Sequence, residues 1–153
     1  MERLALLHGT WRGRGRGDYP TIDAFTYDEV LRFEYDERYP MFHYEQRAFL
    51  VPSGEASHWE SGFIKSVDGA FEISSAQDSG RVEVLRGPLV VDGERLQLDL
   101  DSVALAHDAR LVRTRRQIVI EGDRLRYKKW MATRTTDEPA LLQHLEAELQ
   151  REA

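Results

Sequence analysis

The chain has 153 residues, 41% of them hydrophobic and 31% charged, with a net charge of −6 at neutral pH. That length buries roughly 68–70% of the unfolded surface, so residues 1–153 read as one domain whose core needs no staples. The acidic balance argues against a general nucleic-acid binder, and the absence of cysteine excludes disulfides and thiolate metal sites and fits a reducing, cytoplasmic setting.

The N-terminus, MERLALLHG, lacks a long apolar leader, and no run approaches the ~20 apolar residues of a membrane span. The first distinctive stretch is HGTWRGRGRGDYPTI, residues 8–22, where Gly9, Gly13, Gly15 and Gly17 surround Trp11. Glycine weakens a strand interior and marks a close approach of other groups to the backbone. Alternate glycines from 13 to 17 leave one strand face bare and send Arg12, Arg14 and Arg16 to the other. Trp11 brings a large apolar surface to close one end of a core. The spacing is not GxGxxG and no strand-then-helix pattern surrounds it, which argues against a dinucleotide cradle.

Most of the chain beyond residue 22 has a period of two, the signature of half-buried strands. Phe25, Tyr27, Leu31, Phe33 and Tyr35 alternate with polar residues along one long strand, and Phe42, Tyr44, Gln46 and Ala48 along a second. Further strands are predicted at 57–65, 71–76, 82–86, 96–100, 103–106, 111–120 and 125–131, the last two joined through Glu121-Gly122-Asp123. About ten strands with hairpin-length connections predict an antiparallel sandwich or barrel. Long exposed edges invite aggregation, and closure removes them. A closed barrel is therefore the expected fold, with an interior cleft lined by Thr21, Ile22, Phe42, Tyr44 and His58.

Only the C-terminus changes period. Asp137 is placed to N-cap a helix with Pro139 just inside it. Leu141, Leu142, Leu145 and Leu149 then form a stripe at helical spacing, with His144 on its edge. One short C-terminal helix is expected to pack against the barrel.

Five histidines raise the question of metal, but none forms HExxH or an H-x3–5-H pair. His8, His43 and His107 read as residues of wet faces or turns. His58, in SHWESGF, lines a cavity or packs at the barrel mouth against Glu60. For His144 the alternatives are a satisfied core residue and a ligand; a single neutral imidazole also holds haem iron on its proximal side. Asp99 and Asp101 share a strand face and read as an outer charged wall. No Ser, His and Asp set has a nucleophile-elbow setting. The pattern is that of a container.

The glycine run carries a resemblance. GTWRGRG followed by GDYPTI resembles the GxWxGxG…YPTI signature of the nitrobindins, and the likeness continues through FTYDEVLRF, HWESGFIK, LRYKKWMA and QHLEAELQR. It spans essentially the whole chain in order. The resemblance implies a ten-stranded barrel holding haem b, with His144 as the axial iron ligand, Thr21 beside the haem and Arg113 approaching its edge. His58 and Met131 match positions facing the cavity, whose distal side is implied to be largely apolar. The implied activity is nitric oxide binding and isomerisation of peroxynitrite to nitrate at ferric iron, with those small molecules as partners; composition predicts no nucleic acid or membrane partner, and the choice between monomer and homodimer stays open. The alternative reading is a non-enzymatic carrier of a small, fatty-acid-like apolar ligand. Between Met131 and His144 this chain carries ATRTTDEPALLQ, longer than the usual connection, and Ser57 stands before His58 where an apolar residue is common.

Overall fold

A computed structural model describes residues 2–135 and 138–153. After a 3-10 helix at Glu2–Leu7 come eleven strands. They are β1 (Gly9–Tyr19), β2 (Ile22–Tyr35), β3 (Met41–Val51), β4 (Ala56–Val67), β5 (Ala70–Gln77) and β6 (Val82–Gly87), then β7 (Leu89–Asp92), β8 (Arg95–Ala106), β9 (Leu111–Glu121), β10 (Arg124–Thr133) and β11 (Leu142–Arg151).

Every pairing is antiparallel, and consecutive strands are neighbours from β1 to β6 and from β7 to β11. Two pairings close the sheet. β11 joins β1 through Trp11↔Arg151 to Gly17↔Leu145, and β6 joins β8 through Val82↔Ala106 to Arg86↔Asp101. Ten strands thus form the expected barrel, while β7 is a short strand paired to the N-terminal part of β8, with Leu89 in the core.

The expected C-terminal helix is not formed; β11 stands in its place. Leu145, Ala147 and Leu149 turn inward while Glu148 and Gln150 face solvent. The leucines that match a helical stripe therefore match period two equally well from residue 145. What decides between them is backbone satisfaction. Without a strand here the facing edges of β1 and β10 would each lose a ladder of hydrogen bonds. The N-cap assigned to Asp137 lies outside the described residues.

One end of the barrel is plugged. Leu4, Leu7 and Trp11 are fully buried in one cluster, and the Trp11 indole donates to the Leu7 carbonyl at 2.9 Å. Arg151 lies 4.1 Å above the Trp11 ring and donates to the Leu6 carbonyl, tying the helix to β11. The opposite end, where β1 meets β2, β3 meets β4 and β10 leads to β11, stays open.

The bare face of β1 has a direct cause. A Cβ at Gly15 would lie 2.4 Å from the ring of Tyr27, and one at Gly17 would lie 2.2 Å from the ring of Phe25. These are the cross-strand partners on β2. Glycine lets both rings lie flat over β1, inside the wall.

Candidate functional site

The open end holds His144, the first inward side chain of β11. By strand parity it should point outward with Glu146. A bulge reverses this: Lys129 pairs with Leu145 and Trp130 with Gln143, leaving His144 as the extra residue. Bulges re-aim a side chain in this way. The imidazole packs edge-on to Tyr19 at 5.8 Å and to Phe25 at 6.4 Å between ring centres.

Nδ1 of His144 lies 3.0 Å from the backbone carbonyl oxygen of Asp18. A carbonyl only accepts, so Nδ1 carries the proton and Nε2 keeps its lone pair. Burial holds the imidazole below its usual pKa, against the upward pull of the Asp18 bond. The ring is therefore neutral at pH 7, with one nitrogen pinned and the other available. That is the donor chemistry of an axial iron ligand whose orientation is fixed from behind. The residues present fit a haem group.

On one flank of His144 is a cleft of about 230 Å³ whose walls include His58, Arg81, Thr114, Lys129 and Met131. On the other, a shallow groove of about 780 Å³ runs along Gly17, Asp18, Phe25, Leu50 and Val51. Three of the five residues singled out from the sequence, His144, His58 and Met131, thus meet at one cleft. Thr21 is exposed in the β1–β2 turn, three residues from Asp18, and lines neither concavity. Arg113 faces outward and pairs with Asp101 at 2.5 Å. The basic side chain that enters the barrel from β9 is Arg116. Of the cleft lining expected from periodicity, only His58 is found there. Phe42 and Tyr44 are sealed in the core, and Ile22 is 46% exposed.

Beneath the cleft lies a polar network that sequence reasoning missed. Arg116 donates to Glu60 at 3.0 and 3.2 Å and to Glu83 at 2.6 Å, and Lys129 donates to Glu60 at 2.8 Å and to Gln46 at 2.9 Å. Gln46 donates to Glu29 at 2.6 Å, Tyr127 also donates to Glu29, and Tyr27 and Tyr127 share a hydrogen bond of 2.7 Å. His58 lies between two carboxylates, with Nε2 3.6 Å from Glu60 and Nδ1 3.8 Å from Asp78. These walls mix charged and apolar groups.

The electrostatics of the network are set by burial against pairing. Burial raises the Glu60 carboxyl, but Arg116 and Lys129 outweigh it and hold it well below the usual range. Glu83 is likewise held low by Arg116 despite burial. Glu29 has no cation in contact, and burial pushes it up to about 7. Burial, reinforced by Arg116, lowers Lys129. Below about pH 7, with Glu29 protonated, Glu60 and Glu83 balance Arg116 and Lys129.

A signal for this network was present. Glu29, Gln46 and Glu83 each fall in the inward phase of a strand with apolar residues, and Glu60 and Arg116 share theirs with Ile64 and with Ile118 and Ile120. Polar residues repeated in that phase mark a polar interior.

Comparison with known proteins places this geometry. The profile of the THAP4-like, haem-binding β-barrel domain matches residues 1–151. The chain belongs to that family. Relatives include a protein named peroxynitrite isomerase Rv2717c from Arabidopsis thaliana, 36% identical over 97% of this chain and 86% of its own length. Another is peroxynitrite isomerase 1 of Rhodococcus jostii, 37% identical over 97% of this chain and 82% of its own. The crystal structure of Rv2717c from M. tuberculosis superposes with a TM-score of 0.91 at 30% identity, covering 99% of this chain and 96% of that one. The family's haem-binding barrel is thus the barrel described above, with β11 as its closing strand.

Proposed function

We propose that this chain binds haem b through Nε2 of His144 and isomerises peroxynitrite to nitrate. The observation that carries the reading is the neutral, backbone-pinned imidazole at the open end of the barrel. The names of the relatives supply the reaction. Haem bound there would supply a ferric Lewis acid for an anionic ligand, nitric oxide being the other ligand that the nitrobindin resemblance implies.

The protein's own contribution is orientation and exclusion. The Asp18 carbonyl fixes the tautomer and the ring plane of His144, and Tyr19 and Phe25 bracket it so that it cannot rotate away. Met131 and His58 flank the space in front of it. The nitrobindin resemblance alone assigns Thr21 a position beside the haem; Arg113, on the outer wall, is assigned no haem contact. The plug of Leu4, Leu7 and Trp11 keeps water from the far end. The same chemistry requires no second macromolecule, and the cysteine-free chain suits a reducing cytoplasm.

Titration with hemin tests this directly. The wild type should give a Soret band and consume added peroxynitrite, and His144→Ala should lose both, while His43→Ala and His107→Ala change neither. Uptake of a fatty acid with no uptake of hemin would establish the carrier reading instead. The polar cleft walls argue against that outcome.

A further inference from the structure

Behind the ionic layer the barrel core contains a second, partly enclosed space of about 20 Å³. Its walls include the side chains of Leu31, Ile64, Ile73 and Ile118, together with Phe33, Tyr44, Gln46 and Tyr127, and its roof is Arg116 and Lys129, which also line the cleft. One layer of side chains therefore separates the two spaces.

The volume exceeds the ~10–15 Å³ that a single water needs, so size does not exclude solvent. Chemistry does. A buried water requires two to four polar partners, and most of the polar groups at this rim are drawn to one another. The Tyr44 hydroxyl donates to Glu60 at 3.3 Å, the Gln46 amide donates to Glu29 and Tyr127, and the Tyr127 hydroxyl donates to Glu29. Arg116 is drawn toward Glu60 and Glu83, and Lys129 toward Gln46 and Glu60. What borders the space is almost entirely hydrocarbon. An apolar cavity of this kind stays dry and accepts small apolar guests.

We propose that this chamber is a docking site for one small apolar gas molecule of diatomic size, with nitric oxide and dioxygen as the chemical class. The guest is held by dispersion against four aliphatic side chains and pays no desolvation cost. The route from the cleft passes Lys129, whose side chain is 15% exposed and held by two hydrogen bonds rather than by the double carboxylate clamp on Arg116. Swinging one lysine opens the roof. The site belongs to the barrel core and does not depend on haem.

The test uses the haem-free protein and two probes, xenon and dioxygen, at raised pressure. Xenon should shift the methyl resonances of Leu31, Ile64, Ile73 and Ile118 saturably, and dioxygen should broaden the same methyls through its paramagnetism. Ile118→Phe, which fills the chamber, should abolish both effects. Ile73→Val enlarges the space by one carbon and should strengthen the xenon shifts, which keeps the test decisive if the bulkier variant fails to fold. An ordered water found in the chamber would overturn the proposal. So would methyl responses that are absent in both wild type and Ile73→Val, or that ignore these four residues.

Discussion

The carbonyl oxygen of Asp18 and Nδ1 of His144 lie 3.0 Å apart, joining the end of β1 to the start of β11. Because the acceptor is backbone, no side-chain replacement at position 18 removes it. The bond is set by where β1 ends, and β1 is held in place by the rings packed over its glycines. The glycine run and the histidine are thus parts of one device, although more than 120 residues of chain separate them.

This coupling makes Gly17 the most informative substitution. A Cβ there would lie 2.2 Å from the Phe25 ring and 2.8 Å from Leu145, the neighbours of His144 in space and in sequence. Gly17→Ala should therefore displace the imidazole, at a cost of about 1–3 kcal/mol for overpacking. Weakened hemin affinity with β-sheet circular dichroism retained is the expected outcome. Unchanged hemin affinity would uncouple the two elements.

Glu29 should leave a signature in the pH dependence of stability. Its folded pKa is about 7 against a reference of 4.5, with burial as the main cause. The folded state binds the extra proton between those values. Its contribution to stability is therefore fully present below pH ~4.5 and lost as pH rises through ~7. At about 1.4 kcal/mol per unit the swing is of order 3 kcal/mol. Denaturant melts of wild type and Glu29→Gln between pH 4.5 and 8 should differ by that trend, the variant losing less on alkalinisation. Parallel curves would refute the assignment.

Much of the fold was legible in the letters. Period two, the bare face of β1 and the burial of Trp11 came from residue spacing alone. Gln46 even stood in the apolar phase of its strand, the first sign of a polar interior. Two things were hidden. The run from Leu141 to Leu149 satisfies both helical and strand periods, and only the need to pair β1 and β10 decides between them. In β9, Leu111 is buried with odd parity while Ile118 and Ile120 are buried with even parity. A bulge opposite Ala132 and Thr133 switches the phase, which sends Arg113 outward and Arg116 inward. Bulges of one residue leave no mark in composition, yet the one at His144 creates the site.

That switch sets the expectation for Arg113→Ala. Its partner Asp101 is half exposed, as is Arg113 itself, so the pair contributes little. Hemin affinity should be unchanged and melting should stay within about 0.5 kcal/mol of wild type. A loss of hemin binding would return Arg113 to the site.

Arg116 gives the opposite expectation. It is buried and shared by Glu60 and Glu83, and of these two carboxylates its neighbour Lys129 pairs with Glu60. Removing it leaves Glu83 buried without a cation, and breaking a buried pair in this way costs about 3–5 kcal/mol. Arg116→Met keeps the volume and removes the charge. Its stability should fall by that amount at pH 7 and recover in part as acid neutralises Glu83, whereas Glu83→Gln combined with Arg116→Met should restore a substantial share at neutral pH. Urea melts of the two single variants and the double variant, read as a cycle, measure the coupling directly. A double variant no more stable than Arg116→Met alone would mean that the arginine acts by filling space, and that the charge balance beneath the cleft is incidental.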